Sequence, residues 1–205
     1  MSKLLILLEL ENSGKRIRFL SLEEERRLLQ ELDPNRVVAG GHSKQVLQDN
    51  YDFVVLLIDT GTRCGELSKL MWKDVNLDNK TIRVWREKTS SESILHMTDR
   101  AYTTLKRRYQ TRQSDKWVFT NKDHPNQHRP YLYDTIKRAL KRAGFGDVRI
   151  HDFRATFASR LVQRGMSLQE VSILLGHTKA TMTERYAALI PSDASKKAVD
   201  ILNNL

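Results

Sequence analysis

The stretch His151-Asp152-Phe153-Arg154-Ala155-Thr156-Phe157-Ala158-Ser159-Arg160-Leu161-Val162-Gln163-Arg164-Gly165 reads as one helix with two kinds of face. Phe157, Leu161 and Val162 turn an apolar face toward a core, while His151 and Arg154, three positions apart, share another face at the head of the helix. Gly165 falls where such a helix stops. The flanking sequence continues in the same manner. Helices are predicted over Ser167 to Leu174, Lys179 to Leu189 and Ser192 to Asn203 downstream, and over Pro130 to Ala143 and Asp99 to Arg112 upstream, with Gly144 and Gly176 at two further stops.

Before Asp99 the pattern changes period. Thr81-Ile82-Arg83-Val84-Trp85 leans toward strand, the turn Asn76-Leu77-Asp78-Asn79-Lys80 precedes it, and a partner strand is predicted around Ile94 to Met97. The polar run Glu87 to Ser93 between them suits the exposed tip of a hairpin. Further back, helices are expected over Leu22 to Leu32, Lys44 to Asp59 and Cys64 to Met71. The first opens on Ser21 with Glu24 three residues later, a capping-box signature, and closes at Asp33-Pro34. The second follows a stripe of Val46, Leu47, Phe53, Val54, Leu57 and Ile58, and Thr60-Gly61-Thr62 breaks it. Residues 4 to 20 read as two strand-like runs around Asn12-Ser13-Gly14. With no internal repeat and no low-complexity linker, the expectation is a single mainly α domain with a small antiparallel β-sheet. It comprises a lead-in over 1–20, a core over 21–190 and a tail helix within 191–205.

The chain has 205 residues, and a domain of this size buries roughly 70% of the surface that its unfolded chain exposes. Hydrophobic residues at 40% and charged residues at 29% exclude a collagen, a mucin or a wholly disordered tail. The single cysteine, Cys64, excludes an internally cross-linked secreted scaffold and a zinc ribbon, and fits a cytoplasmic, reducing setting. Leu4 to Leu8 is cut short by Glu9 and lacks a small-residue cleavage site, so it reads as neither a signal peptide nor a span. The net charge of +10 is concentrated. Residues 100–165 hold sixteen basic and five acidic side chains, and the remainder is close to neutral. Such a block is the footprint of a polyanion site, or else a solvated basic face.

Three predicted helix starts combine a cation or an imidazole with unpaired backbone N–H groups, which favours bound phosphate. In Thr60-Gly61-Thr62-Arg63-Cys64-Gly65-Glu66 the glycines allow a tight turn, and Glu66 is placed to orient the Arg63 guanidinium. An ordinary loop-to-helix junction with an exposed ion pair reads the same way. The second start is His151 with Arg154, and the third is His177 in Leu174-Leu175-Gly176-His177-Thr178, with Tyr186 nine residues beyond. A tyrosine on such a helix commonly packs its ring in the core with the hydroxyl at the edge. His124 and His128 are four apart, but Pro125 and Asn126-Gln127 mark a loop without further ligands, so no metal is expected. Cys64 reads as a small residue in a first helical turn rather than as a nucleophile.

The run Thr60 to Leu70, the His151-Asp152-Phe153-Arg154 box, Leu174-Leu175-Gly176-His177 and Tyr186 together resemble the catalytic domain of the tyrosine recombinases of the phage-integrase type. The resemblance extends from about Phe19 to Ala188 in the family's order and spacing. It implies the integrase catalytic fold, with Arg63, His151, Arg154, His177 and Tyr186 in the five signature positions, Lys88 as the catalytic lysine and Glu66 as support for Arg63. It further implies that Tyr186 attacks a DNA phosphodiester to give a 3′-phosphotyrosine and a free 5′-hydroxyl, without ATP, metal or cofactor. By the same resemblance Arg63, Arg154 and His177 stabilise the charged oxygens, Lys88 protonates the leaving oxygen, and His151 takes the tyrosine proton or assists phosphate binding.

The partners so implied are double-stranded DNA, further copies of the chain in a synaptic tetramer and host DNA-bending proteins. The tail stripe Ala194, Ala198, Ile201, Leu202 and Leu205 is expected to dock either in cis or on a neighbouring protomer. The family's N-terminal clamp domain and arm-site domain do not fit into the residues before the match, which reads as a catalytic fragment or a short relative. A type IB topoisomerase and a non-catalytic DNA-binding module are the alternative functions.

Overall fold

The computed structural model describes residues 17–36, 44–86, 90–130 and 133–191, with positions 199, 202 and 203. Helix α1 (Leu22–Glu31) opens on the expected capping box. Glu24 N donates to Ser21 Oγ at 3.1 Å, and Ser21 N donates to Glu24 Oε2 at 2.7 Å. Helix α2 (Lys44–Thr60) is more deeply buried than its stripe predicted, because Val55 and Leu56 are enclosed along with Phe53, Val54, Leu57 and Ile58. Over residues 53–58 it is apolar on every side, as suits a segment in the middle of a domain. Here α2 packs on α4 (Asp99–Gln110) and on α6 (His151–Gln163).

Two predicted elements change. The helix expected from Cys64 to Met71 ends early, as α3 (Cys64–Ser68), and a 3₁₀ turn and strand β1 (Val75–Asn76) follow it. The cause is tertiary: Val118 N donates to Leu70 O and Trp72 N donates to Lys116 O, each at 3.0 Å, so a distant segment takes the backbone groups that would have extended the helix. Strand β2 (Thr81–Arg86) pairs antiparallel with β1 and with β3 (Ser91–His96), giving the order β1-β2-β3. The β2–β3 register sets Ile82 opposite Leu95 and Arg86 opposite Ser91, so β3 begins three residues before the predicted start. Lys88 lies in 87–89, outside the described residues.

The C-terminal part is helical as expected: α5 (Tyr133–Arg142), α6 and α7 (Leu168–Leu175). Instead of one helix over Lys179–Leu189 there is the short α8 (Thr181–Glu184), then a 3₁₀ turn over Ala187–Leu189. Thr183, Tyr186 and Leu189 are all buried at intervals of three, which the tighter 3₁₀ winding brings to one face. Tyr186 N accordingly donates to Thr183 O at 2.9 Å, and Leu189 N donates to Tyr186 O at 3.0 Å. Tyr186 therefore sits at a turn and not within a regular helix.

Helix α6 lies between two apolar clusters. Phe153 points into the larger one, with α2, the sheet and α5, whereas Ala155, Ala158 and Val162 pack with Ile17, Phe19, Val171, Leu175, Tyr186 and Leu189 in the smaller. Residues 17–20 belong to no helix or strand, and the predicted strand-like runs before them lie outside the described residues. Most of the tail stripe does too; Val199 and Leu202 are helical and exposed. No described helix is long and apolar enough to cross a membrane.

Candidate active site

Arg63 is the residue before α3, in extended backbone, and Glu66 holds it twice. Arg63 N donates to Glu66 Oε2 and Arg63 Nη1 donates to Oε1, both at 2.7 Å. The turn leading there depends on Gly61, whose φ is +61° and whose missing side chain leaves room for Phe157: a Cβ would stand 2.8 Å from Cγ of that ring. Burial pushes the Glu66 pKa up, but bonds from Arg63 and the charge of Arg86 outweigh it and keep the carboxyl below its ordinary value. Glu66 is thus a fixed anion between two guanidiniums.

Arg154, on the first turns of α6, is buried, donating through Nη1 to Gly61 O at 2.7 Å and through Nη2 to Leu175 O. Both acceptors are neutral carbonyls. Burial, with like charge from Arg63 and Arg86, lowers its pKa to about 9, so at neutral pH it remains a cation held without a full counter-charge. That is the condition in which an incoming anion is most strongly stabilised. His151 opens the same helix at the surface. Partial burial comes first, and then Arg154, Arg185 and Arg63, in lowering its pKa below the ordinary imidazole value against the pull of Asp152.

Gly176 ends α7 in the left-handed conformation at φ +61° and reverses the chain into His177. The His177 Nδ1 lies 2.7 Å from Thr183 Oγ1, a contact that fixes the ring. Burial and the charges of Arg154, Arg63, Arg185 and His151 bring its pKa down to about 4, so the ring is neutral at pH 7. Tyr186, 4% exposed, belongs to the smaller apolar cluster, with Ala155, Val162 and Leu175. Burial raises its pKa, and Asp152 adds to that rise; Arg185 and Arg154 oppose it.

Arg63, His151, Arg154, His177, Tyr186 and Glu66 therefore share one electrostatic neighbourhood, although they come from three separated parts of the chain. Lys88 belongs to the segment outside the described residues. Two neighbours escaped the sequence reading. Thr183 gave no signal, because only the folded turn brings it to His177. Arg86 did give one: Ile82 and Val84 set the inward phase of β2, and Arg86 continues it. Elsewhere, His128 has Nδ1 3.0 Å from Arg129 O and stacks edge-on against Trp117, a packing role within its loop. Burial pushes the Cys64 thiol up to about 11, far from a thiolate nucleophile.

A model of the phage integrase family matches residues 18–192. Over 141 residues the chain is 34% identical to tyrosine recombinase XerA of Saccharolobus solfataricus, an overlap covering 67% of this chain and 45% of that protein. It is 29% identical over 201 residues to the integrase of Salmonella phage P22, covering 92% of this chain and 48% of the phage protein. The chain spans about half the length of the curated relatives it matches. Its fold is similar to that of the catalytic domain of bacteriophage HP1 integrase, with a TM-score of 0.64 at 22% identity over 90% of this chain and 95% of that one.

Proposed function

This chain belongs to the phage integrase family, and from that membership we propose that it is a site-specific DNA recombinase working through a covalent 3′-phosphotyrosine at Tyr186. The observation that supports the reading is the gathering of Arg63, His151 and His177 about Arg154, the cation whose charge also acts on Tyr186. The Tyr186 oxygen attacks the scissile phosphorus, the P–O5′ bond breaks, and the new P–O bond stores the energy for rejoining when a 5′-hydroxyl attacks in turn. His151, uncharged at neutral pH, accepts the tyrosine proton, and Lys88 supplies one to the departing 5′-oxygen.

Arg154 and Arg63 bind the non-bridging oxygens, where negative charge grows in the transition state, and Nε2 of His177 donates to the same oxygens. This role requires the neutral His177 ring to carry its proton on Nε2, the tautomer in which Nδ1 accepts from the Thr183 hydroxyl 2.7 Å away. The guanidiniums take the part that a metal ion plays in other phosphoryl-transfer enzymes, so the reaction is proposed to need no metal. Double-stranded DNA is the substrate, further copies of the chain assemble on it, host bending proteins assist, and the site of action is the cytoplasm.

Incubation with a nicked suicide duplex in excess EDTA tests this. A covalent protein–DNA adduct is expected, and strand exchange between two duplexes separates recombination from topoisomerase-like swivelling. Metal-dependent cleavage without an adduct overturns the proposal in favour of a nuclease, and binding without cleavage overturns it in favour of a binding module.

A further inference from the structure

Arg86 ends β2 at a position where strand alternation calls for an apolar side chain, as Ile82 and Val84 supply at the two preceding inward positions. It carries a guanidinium with no exposure to solvent. Burying a cation is costly unless bonds replace the lost water, and a well-packed apolar residue of similar volume is often the more stable choice. Among the described residues it bonds to three different elements. Nη1 donates to Glu66 Oε2 of α3 at 2.6 Å, Nη2 donates to Leu174 O near the end of α7 at 2.8 Å, and Nε reaches Ser93 Oγ of β3 at 3.3 Å.

Two of these bonds lead to groups of the site. Glu66 is the carboxylate that holds Arg63 by both side chain and backbone. Leu174 stands two residues before Gly176 and three before His177. The stem of Arg86 also fills the space beneath that turn: a Cβ at Gly176 would lie 3.1 Å from its Nε and 3.3 Å from its Cδ. A lysine offers one ammonium where two acceptors on different elements must be met at once, and only the planar fork spans both. The cation is also placed beside Arg63 and Arg154, whose positive charge it must withstand.

From this geometry we infer that Arg86 is a positioning residue, locking Arg63 (through Glu66) and His177 (through the turn at Leu174 to Gly176) into register with the β2–β3 hairpin. The inference rests on the strand-transfer reading above. It adds a buried ionic link, provided by strand β2, between the two sides of the phosphate site.

The test compares the wild-type full chain with R86K and R86M on a nicked suicide duplex, at protein concentrations above the measured Kd and a temperature where circular dichroism shows each protein folded. Amide exchange at His177 is followed by NMR without DNA. R86M should form the adduct about 100-fold more slowly with duplex Kd changed less than about threefold, the loss expected when reacting groups shift by about 1 Å. R86K keeps the charge but not the fork and should fall between wild type and R86M. In both variants the His177 amide, which donates to Ser172 O, should exchange faster while the amides of α2 do not. Wild-type cleavage by a folded variant overturns the inference, as does slowing that only follows lost affinity. Failure of both variants to fold also overturns it, by making Arg86 a general structural residue. A wild-type chain that binds duplex but forms no adduct overturns the strand-transfer reading instead. The amide arm then still decides whether Arg86 holds the His177 turn, and unchanged exchange rejects it.

Discussion

His177 has a pKa near 4 in the folded protein against an ordinary imidazole value of 6.5. Between those values the unfolded chain binds more protons than the folded one, so stability rises with pH across that window and is lost as pH falls through it. His151, shifted the same way, adds to the slope. Urea unfolding midpoints should therefore drop between pH 7 and pH 4.5, and His177→Asn should flatten that dependence; an unaltered slope in the variant contradicts the assigned environment. Lys88 makes its prediction through chemistry. Lys88→Ala should slow cleavage of an ordinary phosphodiester far more than that of a 5′-phosphorothiolate, whose sulfur leaves without a proton donor. Equal slowing on both substrates removes Lys88 from the general-acid role.

At the scale of elements, the turn into Arg63 is the feature most sensitive to a single atom. Gly61→Ala combines a left-handed backbone with a clash against Phe157, and should cost about 2–4 kcal/mol in thermal unfolding. Ser21→Ala, which removes one cap of α1, should cost about 1 kcal/mol by the same measurement. The helices and the hairpin were legible because their signals are local: the capping box at Ser21, stops at Gly165 and Gly176, and the strand-leaning run of β2. What escaped was decided at a distance. Backbone bonds to residues 116–118 shorten α3 and precede β1, and burial of Thr183, Tyr186 and Leu189 on one face breaks the helix expected through Tyr186. The candidate site divides in the same way, since Arg63, His151, Arg154 and His177 mark turns or helix starts, whereas Thr183 acquires its place only in the folded chain.

For the molecule as a whole, the basic block over residues 100–165 has a second meaning that composition alone did not disclose. Arg107 and Arg108 pair with Asp52, Arg100 with Asp59 and Glu25, Arg160 with Glu25, and Arg142 with Glu31. Part of the segregated charge thus joins α4, α5 and α6 to α1 and α2. The net +10 still predicts electrostatic attraction to DNA. Duplex affinity should fall steeply with salt, each phosphate contact adding about 0.9 to the slope of log affinity on log salt. A flat response leaves only a solvated basic surface. The central claim, that one tyrosine carries the DNA strand between cutting and rejoining, is tested most directly by mass-spectrometric mapping of the adduct formed on a suicide duplex. A 3′-phosphate linked to the peptide containing Tyr186 is expected, with a free 5′-hydroxyl on the released strand and no adduct in a folded, DNA-binding Tyr186→Phe chain. A linkage at any other residue, or an adduct that survives in the variant, contradicts it.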